Sequence, residues 1–530
     1  MNRDTPRILL LIAFLYLLVG TIGHDPWRGD DATHFGPVFE FIAHGGTWVP
    51  QVGGQVVEGY GPLFYWLAAL VASLLQWLLP LHDGARLTTA LLMAGTLWSL
   101  WRAASLMHGI QARTAVVLLT VGSLGLVVHV HETQPAMGLV AAQACVVWML
   151  VSPHRFAMPL AGLAAAAAFL FAGLQGILTT WPLLLFRLLP SQQTSPHSRL
   201  QAIGGLVIAM AVCLAWILPA SASPDWTAWL AAEVQALAPD EPVPARIPDW
   251  FKLFGWFLWP LWPLALWSLW RAWHGAPIRH VPLLLAALVL ALASVILTGG
   301  LRPVRMLPLI VPLALLAAPA VERLRRGAAA AFDWFAVMAF SSAGLLLWLA
   351  WSALVVQWPP GLARHFRKLA PGFDLAPGVP ALALGIMVVV SWIAYLGWRR
   401  PSGRDAALTW AAGMTMLWCI ATSMLAPWFE HTRSYRGAAE QLASVLSERS
   451  DSGCIAGVGL GHAQRSAMDY FAGLTIEANR DVPTCPLVLV YTDTRMNPRD
   501  LNRLGVEIWR YERGGGRQRE SFTLLARRPS

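Results

Sequence analysis

Long apolar runs separated by short polar segments make up most of the chain. A hydrocarbon core of about 30 Å takes roughly 20 apolar residues per helix. Runs of that kind fall at 7–23, 62–80, 87–106, 113–130, 135–152, 157–172, 174–190, 202–220, 252–271, 281–298, 304–320, 331–356, 380–398 and 406–426. The pattern changes after residue 426. Short β-type runs follow at Cys454–Val458, Leu487–Tyr491, Val506–Tyr511 and Phe522–Ala526, with a helix-like stretch at Ala463–Phe471. The predicted fold class is therefore an all-α polytopic membrane protein, residues 1–426, with a small extracytoplasmic α/β domain at 427–530.

Composition sharpens this picture. Of 530 residues, 56% are hydrophobic and 13% charged, about half the usual charged share of a soluble chain; the mean hydropathy is +0.54. A soluble enzyme and a disordered chain are excluded. The net charge of +9 does not mark a nucleic-acid binder, because the arginines cluster between apolar runs, as the positive-inside rule predicts.

Arginine placement also tests the topology. Arg102/Arg113, Arg155, Arg187/Arg199, Arg271/Arg279, Arg323/Arg325/Arg326 and Arg399/Arg400/Arg404 are expected inside. The acidic segments 24–61 and 221–250 are expected outside, as is the polar loop 129–135. Strict alternation through every run inverts this pattern, and treating 62–80, bounded by Pro62 and Pro80, as non-spanning restores it. About thirteen spans remain, with the N-terminus inside and the C-terminal segment outside. Two external stretches still defy the rule: Leu301-Arg302-Pro303-Val304-Arg305 and Arg364-His365-Phe366-Arg367-Lys368. Misplaced cations on the outer face have a local reason, either an anionic ligand such as a lipid phosphate or snorkelling to headgroups.

Candidate chemistry gathers at two external segments. Trp27-Arg28-Gly29-Asp30-Asp31-Ala32-Thr33-His34-Phe35 places two carboxylates just beyond the first span, where a base could take a proton from an arriving hydroxyl. A short amphipathic helix at Val38–His44 follows. The second segment is His129-Val130-His131-Glu132-Thr133-Gln134-Pro135. Its residues His129, His131 and Glu132 could hold a divalent metal ion or orient a sugar, although two histidines at i,i+2 are a weak metal signal. No CxxC or HExxH motif occurs, and no other cofactor is implied. Cys145, Cys213 and Cys419 lie in apolar runs and read as core. Cys454 and Cys485 share the external domain, where a disulfide is permitted. The Gly514–Gly516 run reads as a hairpin turn rather than a phosphate loop.

These residues carry a resemblance. A first span, an acidic pair, GGTWVPQVGG at 45–54, GPLFYWL at 61–67, an acidic residue after the third span and LRPVRMLPLIVPLALLA at 301–317 together resemble the GT-C glycosyltransferases of family 39. That family includes bacterial lipid A aminoarabinose transferases and protein O-mannosyltransferases. The resemblance implies a sugar donor on a polyprenyl phosphate, a lipid A, other glycolipid or protein acceptor, and a place in the bacterial inner membrane with the active site outside. It assigns Asp30 as catalytic base, Asp31 as its acidic neighbour and Glu132 as the acid of the second loop. Arg302 and Arg305 fall where basic residues face the lipid-linked phosphate, while His34, Tyr60 and His131 are expected to line the substrate. Two departures stand out: Tyr60-Gly61-Pro62-Leu63 replaces the family's Lys-Pro-Pro-Leu, and Gln175-Gly176 stands where a Lys-Gly motif is usual.

A transporter or flippase of lipid-linked glycans is the contrasting class, and a polymerase or ligase is a third. A transporter places charge near the bilayer midplane. Here polar density concentrates at one membrane face, which favours interfacial chemistry.

Overall fold

The computed structural model describes residues 5–187, 196–236, 243–275, 280–298, 302–374, 378–399, 403–449, 453–477, 485–493, 504–514 and 519–527. Asp240, Glu241, Arg279, Arg400 and Leu301, with Gly515 and Gly516 of the expected hairpin turn, lie outside the described residues.

The helices run in chain order as α1 Thr5–Leu18, α2 Asp30–His44, α3 Leu63–Leu75, α4 Leu81–His108, α5 Ala112–Val121, α6 Leu126–His129, α7 Ala136–Val151, α8 Ala157–Phe186, α9 Pro196–Ala220, α10 Trp226–Gln235 and α11 Val243–Phe257. They continue as α12 Leu261–Trp273, α13 Val281–Leu297, α14 Ile310–Arg323, α15 Arg326–Val355, α16 Pro360–Leu369, α17 Val379–Trp398, α18 Gly403–Met424, α19 Ala426–Arg433, α20 Arg436–Ser447 and α21 His462–Ala472. A 3₁₀ segment, Pro303–Leu309, leads into α14.

Among the described residues, 6 helices are long and apolar enough to cross a membrane, and shorter apolar helices such as α3, α5, α7 and α13 stand beside them. Burial sorts the long ones. The apolar window running through α14 is 94% buried, whereas that of α17 is 11% buried. An element apolar on every face belongs at the centre of a bundle; one with its leucines and isoleucines outward, such as Ile386, Val390 and Ile393 on α17, belongs against lipid. The chain is a multi-pass membrane protein. The segment 62–80 contains only α3, 13 residues long and so about 20 Å, before α4 starts at Leu81.

The C-terminal part carries one sheet in the order β4-β3-β5-β7-β6, from β3 Ile455–Val458, β4 Ile476–Glu477, β5 Leu487–Thr492, β6 Val506–Arg513 and β7 Glu520–Ala526. Strands β4, β3 and β5 are parallel, and β7 and β6 complete it antiparallel. A two-residue hairpin in the first loop, β1 Gln51–Val52 with β2 Gln55–Val56, has no counterpart in the hydrophobic pattern. Cys454 and Cys485 form a disulfide with Cα atoms 5.1 Å apart.

The sheet module is sewn to the membrane part through the first loop. The Arg28 amide donates to the Arg433 carbonyl at 2.9 Å, and the Asp25 carboxylate is held by Arg436 and Ser434. Helix α21 lies along α2, with Tyr470 edge-on to Phe35 at 4.8 Å.

Candidate active site

Helix α2 starts eight residues earlier than the amphipathic pattern suggests, at Asp30, and runs through Pro37. Gly29 turns the chain into it at φ +101°, a conformation open to glycine but not to side chains with a Cβ. Asp30 and Asp31 therefore sit in the first turn, where the helix dipole favours negative charge.

The two carboxylates have different surroundings. Asp31 is completely buried. It accepts the Trp27 amide at 3.0 Å, the Thr133 amide at 2.8 Å and Arg86 Nε at 3.2 Å. Burial raises its carboxyl, but Arg86 and the amides outweigh burial and hold it below the ordinary carboxylate value. Arg86, also fully buried, spends its remaining donors on Asp83 at 2.7 Å and on the carbonyls of His24 and Thr21. Asp31 thus ties α2, α4 and two loops together and presents no free oxygen to a substrate.

Asp30 is half-buried and accepts one side-chain hydrogen bond, from Gln134 Nε2 at 3.1 Å. Ligand atoms of Asp30, His129 and Glu132 all lie within 4.8 Å of one another. Glu132 is buried, and burial first, then the nearby Asp31 and Asp30, push its carboxyl well above the ordinary value. His129 Nδ1 has no hydrogen-bond partner among the described residues and stands 3.8 Å from Glu132 Oε2. This trio is where the site could hold a divalent cation, since it combines a nitrogen and two carboxylates with one donor atom left open.

A second group forms a narrow cleft of about 40 Å³ beside it, lined by Glu58, Tyr60, Gln175, Glu233, Arg302 and Arg305 among others. The cleft exists because α8 is broken. Ala172 (φ −138°, ψ 30°) and Gly173 (φ 50°, ψ −132°) leave helical geometry. The Glu233 carboxylate from α10 enters the break and accepts the Leu174 amide at 2.9 Å. Gln175 Nε2 donates to the Arg305 carbonyl at 3.2 Å, and Trp229 Nε1 donates to the Tyr60 carbonyl at 3.0 Å. The two positions that depart from the family's lysine motifs, Tyr60 and Gln175, both line this cleft.

Tyr60 links the two groups. Its hydroxyl is pushed up, by burial above all, and lies within electrostatic reach of Asp30, Arg305, Arg302 and Glu233. The His34 ring meets Tyr60 edge-on at 4.7 Å, and its Nδ1 pairs with the Tyr65 hydroxyl at 3.0 Å. Burial lowers His34 to about 4, so it is neutral at physiological pH. Asp30, Glu132, Tyr60, His34, Arg302 and Arg305 are thus brought into one region.

His131 is not. Its two ring nitrogens face the carbonyls of Val127 and Tyr16, and its ring stacks on Trp418 at 4.3 Å. The expectation that it lines the substrate is corrected. The i,i+2 spacing aims His129 and His131 apart, and both nitrogens of His131 are already committed to backbone.

No protein-family model matches the sequence, and no curated protein matches it by sequence. Solved structures do match. ArnT from Cupriavidus metallidurans bound to undecaprenyl phosphate superposes with a TM-score of 0.71 at 15% identity, covering 99% of this chain and 98% of that one. The chain has the ArnT fold. The apo ArnT structure gives 0.69 at 16% identity over 98% of this chain and 97% of that one. The architecture found, a multi-span helical part followed by a small C-terminal sheet module, is the one the resemblance implied. With ArnT the match runs through the membrane part and the sheet module together.

Proposed function

We propose that this protein is a membrane glycosyltransferase that moves a sugar from a polyprenyl-phosphate donor to an acceptor outside the cytoplasm. Residues 1–426 form its catalytic part in the bacterial inner membrane, with 427–530 on the external side. The observation that carries the reading is the Tyr60 bridge. A half-buried carboxylate with a single side-chain hydrogen bond among the described residues, Asp30, shares a half-buried neighbour, Tyr60, with a cleft that carries Arg302 and Arg305. The likeness to ArnT, solved with undecaprenyl phosphate, supports the choice of donor class.

In this reading Asp30 takes the proton of the acceptor hydroxyl or amine as that atom attacks the anomeric carbon. The bond from the anomeric carbon to the phosphate oxygen breaks, and the electron pair leaves with the polyprenyl phosphate. Arg302 and Arg305 take up the charge growing on the phosphate, for which planar guanidinium donors are suited. One displacement by a single carboxylate base inverts the anomeric centre.

The test has two arms. Arg302→Ala and Arg305→Ala should each weaken binding of undecaprenyl phosphate by roughly 1–3 kcal/mol, the range for charge-assisted hydrogen bonds; unchanged affinity returns both to snorkelling. Mass spectrometry of envelope lipids and glycans should show a glycosyl mass increment that disappears without the chain and is not restored by Asp30→Asn.

A further inference from the structure

Glu40 and His44 sit four residues apart on α2 and so share one face of that helix. Asp469 of α21 stands opposite them. One oxygen of each carboxylate and a ring nitrogen of His44 lie within 4.8 Å of one another, and His44 Nε2 is 3.1 Å from Asp469 Oδ2. Two observations separate this trio from an ordinary surface ion pair. First, two carboxylates from different helices converge on one imidazole, an arrangement of one nitrogen and two oxygen donors around a common point. Second, the ligands are held from behind. The Gly53 amide points at Glu40 Oε2 at 3.4 Å, and Phe39 meets the His44 ring edge-on at 6.2 Å. A hydrogen bond such as that from Gly53 orients a ligating carboxylate.

We propose that Glu40, His44 and Asp469 bind a divalent transition-metal ion, with Zn²⁺ the best match to one nitrogen and two carboxylate oxygens, and that the ion clamps α21 onto α2. Ligand atoms about a tetrahedral zinc ion lie about 3.4 Å apart, given zinc–ligand bonds of about 2.0–2.2 Å. The His44–Asp469 pair already has nearly this spacing, and a Glu40 oxygen lies within 4.8 Å of both. Water completes the coordination through the exposed side of His44. The site is separate from the Asp30, His129 and Glu132 trio, since it lies at the other end of α2 and draws its third ligand from the sheet module. Its effect is mechanical: it fixes the helix that carries Asp30 in its first turn against the C-terminal module.

The experiment uses the full-length protein in detergent, stripped with EDTA and titrated calorimetrically with ZnCl₂. His44→Ala, Asp469→Asn and Glu40→Gln should each lose one equivalent of bound zinc or weaken it at least tenfold, while Asp30→Asn keeps that equivalent. Zinc should slow hydrogen exchange across 462–472 in the wild type and not in His44→Ala. Gel filtration and the milder His44→Gln identify any variant that fails to fold. Zinc stoichiometry and exchange protection equal to wild type in the folded variants overturn the proposal, as does loss of the equivalent only in Asp30→Asn; the trio is then an ion pair with a spectator carboxylate.

Discussion

Asp31 and Arg86 form an ion pair at 3.2 Å with both side chains wholly out of solvent, joining the first turn of α2 to the first turns of α4. Two charges in such a place cost several kcal/mol each to desolvate, and removing only one partner strands the other. Asp31→Asn or Arg86→Ala should lower stability by roughly 3–5 kcal/mol. The combined Asp31→Asn, Arg86→Ala chain should lose less than the two single changes added together. Thermal unfolding in detergent reads this, and additive losses would show that the two groups do not depend on each other.

Asp30, one residue away, should behave in the opposite way. Asp30→Asn is expected to reduce turnover roughly 100- to 10,000-fold, the usual worth of a positioned base, with an unchanged melting temperature and unchanged affinity for undecaprenyl phosphate. A variant that still turns over at the wild-type rate removes Asp30 from the chemistry.

Glu132 offers a pH test. Its folded-state carboxyl is raised above the ordinary 4.5, chiefly by burial, so the folded protein holds a proton that the unfolded chain releases. The stability linked to that proton is complete at low pH and declines as pH rises from the ordinary carboxyl value towards the raised one. Glu132→Gln, permanently neutral, should be close to wild type at about pH 5 and relatively more stable at about pH 8. Its activity should survive, whereas a metal held by Asp30, His129 and Glu132 would be lost with it. Melting curves across that interval decide the first point, and metal analysis of the variant decides the second.

Gly173 and Glu233 should be mutually dependent. A Cβ at Gly173 would come within 2.2 Å of Glu233 Oε2, and its positive φ disfavours alanine besides. Gly173→Ala should cost about 1–3 kcal/mol and weaken binding of undecaprenyl phosphate. The double change Gly173→Ala, Glu233→Ala should recover part of the stability but not the binding. Equal stability of the single and double variants would mean that the clash is absorbed elsewhere.

The orientation rests on α3 not crossing. In a cysteine-free background, Leu70→Cys should label less from the cytoplasmic side than His108→Cys. Equal labelling from that side would place both positions in one compartment.

Much of this site can be read along the chain because its members are local exceptions. Asp30 and Asp31 stand out beyond an apolar run, Arg302 and Arg305 defy the charge rule, and the alternating strands after residue 426 appear at nearly their full lengths. What escaped was set by distance. Arg86 looks like an edge charge just before the run 87–106; only the fold brings it to Asp31, 55 residues earlier in sequence. The Asp83 to Arg86 spacing in an otherwise apolar stretch was the available signal. Glu233 reads as one of several acids in an external loop, and nothing near it shows that a helix breaks at Gly173 to receive it. For His131 the error was directional, since a polar loop does not show which of its side chains turn outward.

The break in α8 has an electrostatic consequence. The half of α8 that begins at Leu174 exposes the start of a helix, a place that attracts phosphates through its free amides. Glu233 is already seated there, in the manner of a built-in decoy. On the proposed function, a phosphorylated ligand entering the cleft would find that helix end taken, and its recognition would pass to Arg302 and Arg305.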